Sequence, residues 1–134
     1  MKSIGIDTNV LLSLRLKRQP GFAQIDQLFQ QCLAGKLQVF IPEIVLPEIE
    51  WVLRTVYKQQ RELVAAFLYD LLQADGIMME DKPLMKQAVS IFRGSNFKFT
   101  DCVILTQIQS FGPDEFLTFD ENLKKIYQED FSQN

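Results

Sequence analysis

Apolar positions along this chain recur with two different periods. Ile25, Leu28, Phe29 and Cys32 share one face of a helix predicted over 22–34, with Gly35 as its stop. Leu63, Val64, Phe67, Leu68, Leu71 and Leu72 repeat that spacing over 60–74, ended by Gly76. Between such stretches lie short apolar runs at 3–6, 38–41, 77–79 and 116–119, which read as strands. Further helices are expected over 8–14, from Pro42 to about Tyr57 with a kink or junction at Pro47, over 82–92 before Gly94, over 100–111 with Thr100 as N-cap, and over 121–127. Residues 15–20 and 95–99 read as loops, and Gly112-Pro113 as a break. Strands alternating with helices predict an α/β fold: a single three-layer domain over residues 1–134, with a central, mainly parallel sheet flanked by helices. Ligands of such sheets bind beyond the carboxyl ends of the strands.

Four acids sit against these apolar segments. Asp7 follows Ile4-Gly5-Ile6, Glu48 lies between Leu46-Pro47 and Ile49, Asp101 precedes Cys102-Val103-Ile104-Leu105, and Asp120 follows Leu117-Thr118-Phe119. Desolvating an unpartnered carboxylate is costly, so acids in such places call for a partner. On a helical wheel of 43–57, Val45, Ile49, Val52 and Val56 form the apolar face and Glu43, Glu50 and Arg54 the solvent face. Glu48 falls on the flank of the apolar stripe. Asp101 falls between Ile104 and Leu105, on the buried stripe of its helix. Local roles stay open beside this. Asp7 and Asp120 are placed to cap the helices that follow them, and Asp101 to meet a helix macrodipole, worth ~0.3–1 kcal/mol. A hard divalent cation is the expected shared partner, with one or two ions acting, in a chain with no His and with its basic residues mostly outside these segments.

Composition narrows the classes. With 134 residues, 47% apolar and 23% charged, the chain is sized for one globular domain. No apolar run reaches the ~18 residues of a membrane span, and the start of the chain lacks the pattern of a signal peptide. Cys32 and Cys102 lie within helical patterns, as buried thiols of a reducing compartment do, so a cytoplasmic protein with no membrane partner is expected. Without His, a zinc site is set aside. A net charge of −3 argues against a passive nucleic-acid binder. Positive charge is nevertheless clustered: Lys82, Lys86, Arg93 and Lys98 occupy a stretch without acids, Arg54, Lys58 and Arg61 form a second group, and Arg15, Lys17 and Arg18 a third. Each cluster fits either a solvated helix face or a phosphate track around an acidic centre.

The segments Ile4-Gly5-Ile6-Asp7-Thr8-Asn9, Ile44-Val45-Leu46-Pro47-Glu48-Ile49, Phe99-Thr100-Asp101 with its apolar helix, and Leu117-Thr118-Phe119-Asp120 follow one another in that order. As an ordered set they resemble the PIN domain nearly end to end, and within it the stand-alone bacterial VapC-type toxins of toxin–antitoxin pairs. The resemblance implies an Mg²⁺- or Mn²⁺-dependent endoribonuclease that hydrolyses RNA phosphodiester bonds with metal-activated water. Its metal ligands would be Asp7 and Asp101, completed by Glu48 and Asp120. Thr8, Asn9 and Thr118 match polar positions that orient those carboxylates. Pro47 departs from the family pattern and bears on the orientation of Glu48. RNA would be carried by Lys82, Lys86, Arg93 and Lys98, with Arg15, Lys17 and Arg18 as second choice. A small antitoxin protein and a homodimer are the implied partners. Three alternatives stand beside this reading: a PIN-fold RNA-processing nuclease outside any toxin–antitoxin system, an aspartyl-phosphate phosphatase, which would want an acid where Asn9 stands, and a non-catalytic interaction module.

Overall fold

The structure, a computed structural model, describes residues 1–130. Its elements are β1 (Ser3–Gly5), α1 (Thr8–Leu16), α2 (Phe22–Leu33), β2 (Gln38–Phe40), α3 (Val45–Thr55), α4 (Arg61–Gln73), β3 (Ile77–Met78), α5 (Lys82–Arg93), α6 (Phe99–Phe111) and α7 (Glu121–Asp130). The class is α/β with a parallel sheet, as the alternation of periods predicts. The sheet order is β1-β2-β3, with Ser3 opposite Gln38, Gly5 opposite Phe40 and Val39 opposite Ile77. Parallel neighbours require a crossover, and α1–α2 and α3–α4 supply one each. All three strands therefore end on the same edge of the sheet, the edge that leads into Asp7, Pro42-Glu43 and Glu80-Asp81.

Two compact units make up the chain, Met1–Lys82 and the part from Pro83 onward. In the first, α1 packs on α2 and α3, and α3 packs on α4. Leu11, Val39, Ile41, Leu46, Ile49, Leu53, Val64, Leu68, Leu72 and Ile77 are sealed from solvent there. Each such side chain contributes roughly 1.5–3 kcal/mol by leaving water. Gly76 is required by packing: a Cβ at this position would lie 2.7 Å from Cys32 Sγ and 3.0 Å from the Cys32 carbonyl oxygen.

In the second unit, Met85, Ala88, Val89 and Phe92 line the buried face of α5 at the spacing of a helix. Phe92 meets Phe99 of α6 edge-on at 5.1 Å between ring centres. Leu105 of α6 joins Leu123 and Ile126 of α7 in a separate small core, against which Ile91, Phe97, Phe116 and Tyr127 pack. Gly112 ends α6 in the left-handed region (φ 73°), where its N–H returns to the Ile108 carbonyl.

Four expectations are corrected. No strand forms at 116–119; the segment runs without a ladder partner. Phe116 instead turns toward Tyr127, 5.0 Å away edge-on, and a short apolar run does not by itself distinguish strand from other extended backbone. Pro47 does not interrupt its helix. The helix begins at Val45, so Pro47 falls in its first turn, where a backbone N–H would have no intrahelical acceptor anyway. Thr100 is not the cap of α6, which starts one residue earlier after Lys98. Arg15 and Leu16 belong to α1 and not to the loop.

Candidate active site

Asp7 is exposed, two residues beyond β1, where it leaves the sheet edge and caps α1 by accepting the Val10 N–H at 3.1 Å. Capping and ligation are compatible, because a carboxylate has about four lone-pair sites and the cap occupies one. Glu48, also exposed, rises from the first turn of α3. Both line one open pocket of about 340 Å³, together with Ile6, Thr8, Asn9, Pro42, Ile44 and Val45. The first two acids and the polar pair after Asp7 are thus brought together at the carboxyl edge of the sheet.

The geometry of α3 follows from residues the wheel misplaced. Its buried side carries Val45, Leu46, Ile49, Glu50 and Leu53. Glu50, expected on the solvent face, is 2% exposed, and its carboxylate accepts the Arg54 Nε–H at 2.6 Å one turn later. The entry to α3 is clasped from two directions. The Glu80 carboxylate accepts the Glu43 N–H at 2.9 Å, and the Glu43 carboxylate accepts the Asp81 N–H at 2.5 Å. The loop after β2 is thereby tied to the loop after β3. Burial, and the charges of Glu80 and Asp81, raise the Glu43 carboxyl above the usual carboxylate range against the opposing hydrogen bond from Asp81. Neither Glu50 nor this clasp was found from sequence. Pairings 37 and 38 residues apart leave no periodic signal.

In the second unit, Asp101 occupies the third position of α6 and is half-buried. Burial raises its pKa, the Asp120 carboxylate raises it further, and Lys98 acts in the opposite direction. These three groups therefore share one electrostatic neighbourhood. Asp120 is exposed and caps α7, accepting the Leu123 N–H at 2.9 Å. Thr118 does not touch that carboxylate; its hydroxyl accepts the Asp120 backbone N–H at 3.1 Å and so fixes the turn that presents it.

The basic candidates differ in exposure and in position. Lys82 Nζ donates to the Ala74 carbonyl at 2.6 Å. Arg15 donates to Gln59 at 3.1 Å and lies over the Phe67 ring, while Arg18 bonds Tyr57 and Ser13. Lys17, Lys86, Arg93 and Lys98 are exposed.

Among the described residues, no group of three or more His, Cys, Asp or Glu side chains is gathered in a way that could hold a metal ion. The carboxylates come as pairs, Asp7 with Glu48 and Asp101 with Asp120. A pair fits Mg²⁺, which keeps several waters and is ordinarily bound through one or two carboxylates plus substrate phosphate. The donor set is all oxygen, as hard cations prefer.

Comparison with known proteins matches the PIN domain model to residues 4–129. The chain belongs to the PIN domain family. All four acids of this PIN domain lie inside the matched span. A VapC ribonuclease of Aquifex aeolicus (strain VF5) is 26% identical over 121 residues, covering 90% of each chain. No solved structure is a significant match. No helix among the described residues is long and apolar enough to cross a membrane.

Proposed function

We propose that this PIN domain is a divalent-metal-dependent endoribonuclease, the toxin of a toxin–antitoxin pair, acting on RNA phosphodiester bonds. Family membership supports nuclease chemistry, and likeness to a VapC ribonuclease over 90% of the chain supports RNA as substrate and a toxin's role. The observation that carries the reading is the pocket in which Asp7 and Glu48 meet at the carboxyl edge of the parallel sheet.

Asp7 with Glu48 in the first unit, and Asp101 with Asp120 in the second, would be the carboxylates that hold Mg²⁺ or Mn²⁺. The bound ion would supply Lewis-acid polarisation of the phosphate and a more acidic water. The chain's own contribution is orientation. The Val10 N–H fixes one Asp7 oxygen, the clasp of Glu43 and Glu80 sets the start of the helix that carries Glu48, and Thr118 and Leu123 hold Asp120 in its turn. Lys98 brings positive charge to the Asp101–Asp120 pair, where a substrate phosphate would otherwise meet only carboxylates. Asn9 stands where a phosphatase of the aspartyl-phosphate type would need its second acid, which weighs against that chemistry.

The partners follow from the same reading: an RNA substrate, a small antitoxin and a second copy of the chain. Leu63 of α4, Leu33 of α2 and Trp51 of α3 are large apolar side chains exposed on the first unit, and such surface suits a protein partner.

The test is cleavage of RNA by the purified protein with Mg²⁺ or Mn²⁺, abolished by EDTA, together with growth arrest on expression that a co-expressed neighbouring small protein relieves. Full activity in EDTA would remove the metal mechanism. Harmless expression of an active nuclease would move the role to RNA processing.

A further inference from the structure

Among the apolar side chains of the described residues, Phe119 is the most exposed, at 96%. Its position is held from both sides. On one side Phe116 is packed against Tyr127 within the small core of the second unit. On the other, the Asp120 N–H is bonded to Thr118 and the Asp120 carboxylate caps α7. The ring is thus presented by an anchored turn. Leu117, two residues earlier, is 87% exposed and lines a cavity of about 270 Å³ with Glu115, Phe116, Lys124, Tyr127 and Gln128.

We propose that Phe119 is a stacking platform for an RNA base, held beside the phosphate that Asp101 and Asp120 serve. This rests on the ribonuclease reading and adds to it a substrate subsite. Single-stranded RNA is gripped by aromatic faces on which bases stack, combined with cations that follow the backbone. Both components are present in this unit. Phe119 is the immediate chain neighbour of Asp120, whose carboxylate acts on Asp101, so the ring and the carboxylate pair belong to one neighbourhood of this unit. Lys98 lies within electrostatic reach of Asp101, and Lys124 borders the adjoining cavity. The ring and Leu117 would also suit an apolar partner, but carboxylates suited to a metal and a lysine suited to a phosphate stand in the same unit, which favours a nucleotide.

The test is binding of a short unstructured fluorescent RNA to the full chain with Mg²⁺, read by anisotropy in an Asp7→Asn background that prevents cleavage. Phe119→Ala is expected to weaken binding about 5- to 150-fold, the loss of one stacked base. Phe119→Trp is expected to bind at least as tightly as Phe119 itself. Phe119→Leu, apolar but without a π-face, is expected to stay weak. Phe111, 85% exposed at the far end of α6 from Asp101, is the control: Phe111→Ala should not change affinity. An abasic nucleotide placed at each position in turn should weaken binding at one position to the Phe119 protein, and at that position make no difference to the Phe119→Ala protein. Melting temperatures of the variants should match the parent's, because the ring touches little in the folded chain. Unchanged affinity of Phe119→Ala, when the wild type cleaves RNA, overturns the stacking site and leaves the nuclease reading intact. A wild type that neither binds nor cleaves RNA overturns both. A Phe119→Ala protein that changes oligomeric state or loses a protein partner while its RNA affinity holds assigns the ring to a protein interface and overturns the proposal.

Discussion

At Asp101 burial and the Asp120 carboxylate act in the same direction, and the opposing influence of Lys98 is smaller than their sum. The folded protein therefore binds a proton at Asp101 over a window that starts near the ordinary value of 3.8 and extends upward. The native state holds more protons than the unfolded chain in that window, so stability from this group falls as pH rises through it and stays reduced above it. Below the window the penalty is absent. Asp101→Asn removes the charge and keeps the shape. We expect it to melt at or above the wild-type temperature in metal-free buffer at neutral pH, the difference closing as pH falls toward 3.8. It should at the same time abolish RNA cleavage. Unfolding of the variant, with cleavage per folded molecule preserved, would make Asp101 a structural helix residue. The carboxylates at 7 and 120 are different: each accepts a backbone N–H at a helix start. Replacing either by Ala should cost ~1 kcal/mol in capping besides any loss of activity, which makes Asp101 the cleaner probe.

Single elements show where periodicity informs and where packing decides. The helix α3 is legible from its apolar spacing, but Glu48, expected on the flank of the apolar stripe and toward the protein side, is exposed. Glu50 is not legible, because Val45, Leu46, Ile49 and Leu53 bury a face rotated toward it, and the wheel has no means of knowing what lies on the other side. The buried carboxylate then depends on Arg54, whose side chain is 40% exposed. Removing one partner of a buried pair leaves an uncompensated charge, a loss of about 3–5 kcal/mol when the pair is fully enclosed. Water can reach the Arg54 side, so Arg54→Leu is expected to cost about 2–3 kcal/mol, at or below the low end of that range, by denaturant unfolding. Arg54→Leu combined with Glu50→Leu should recover much of the loss. If Arg54→Leu alone is neutral, the pair is a surface contact and Glu50 finds its partner elsewhere. The Asp7-Thr8-Asn9 corner was legible because strand end, cap and helix start are consecutive in the chain. The clasp of Glu43 and Glu80 was not, since both partners read locally as loop acids. The missing strand at 116–119 marks the same limit: an apolar tetrapeptide says that something covers Phe116, not whether a ladder or the Tyr127 ring does so.

At the scale of the whole molecule a net charge of −3 must be reconciled with a polyanionic substrate. Attraction has to come from local patches and from bound cations, because the summed field repels RNA at long range. The sequence offers seven basic candidates, and their places in the fold rank them. Arg15, Arg18 and Lys82 are committed to contacts with Gln59 and Phe67, with Tyr57 and Ser13, and with the Ala74 carbonyl. Lys86, Arg93 and Lys98 are exposed in an acid-free stretch that runs directly into Asp101, and Lys98 is the one whose field reaches that carboxylate. Arg93→Ala with Lys98→Ala is therefore expected to weaken RNA binding and to flatten its dependence on salt. Each lost phosphate contact should lower the slope of log affinity against log salt by ~0.7, the value for a single strand. The same double substitution at Arg15 and Arg18 should change the slope less and the melting temperature more, because those guanidinium groups hold α1 to its neighbours. Metal affinity should not fall in the Arg93/Lys98 variant, since removing positive charge near Asp101 leaves the carboxylates no less attractive to a cation. Binding curves that superimpose on the wild type across a salt series would make this stretch a solvated helix face and return the search to Arg15, Lys17 and Arg18.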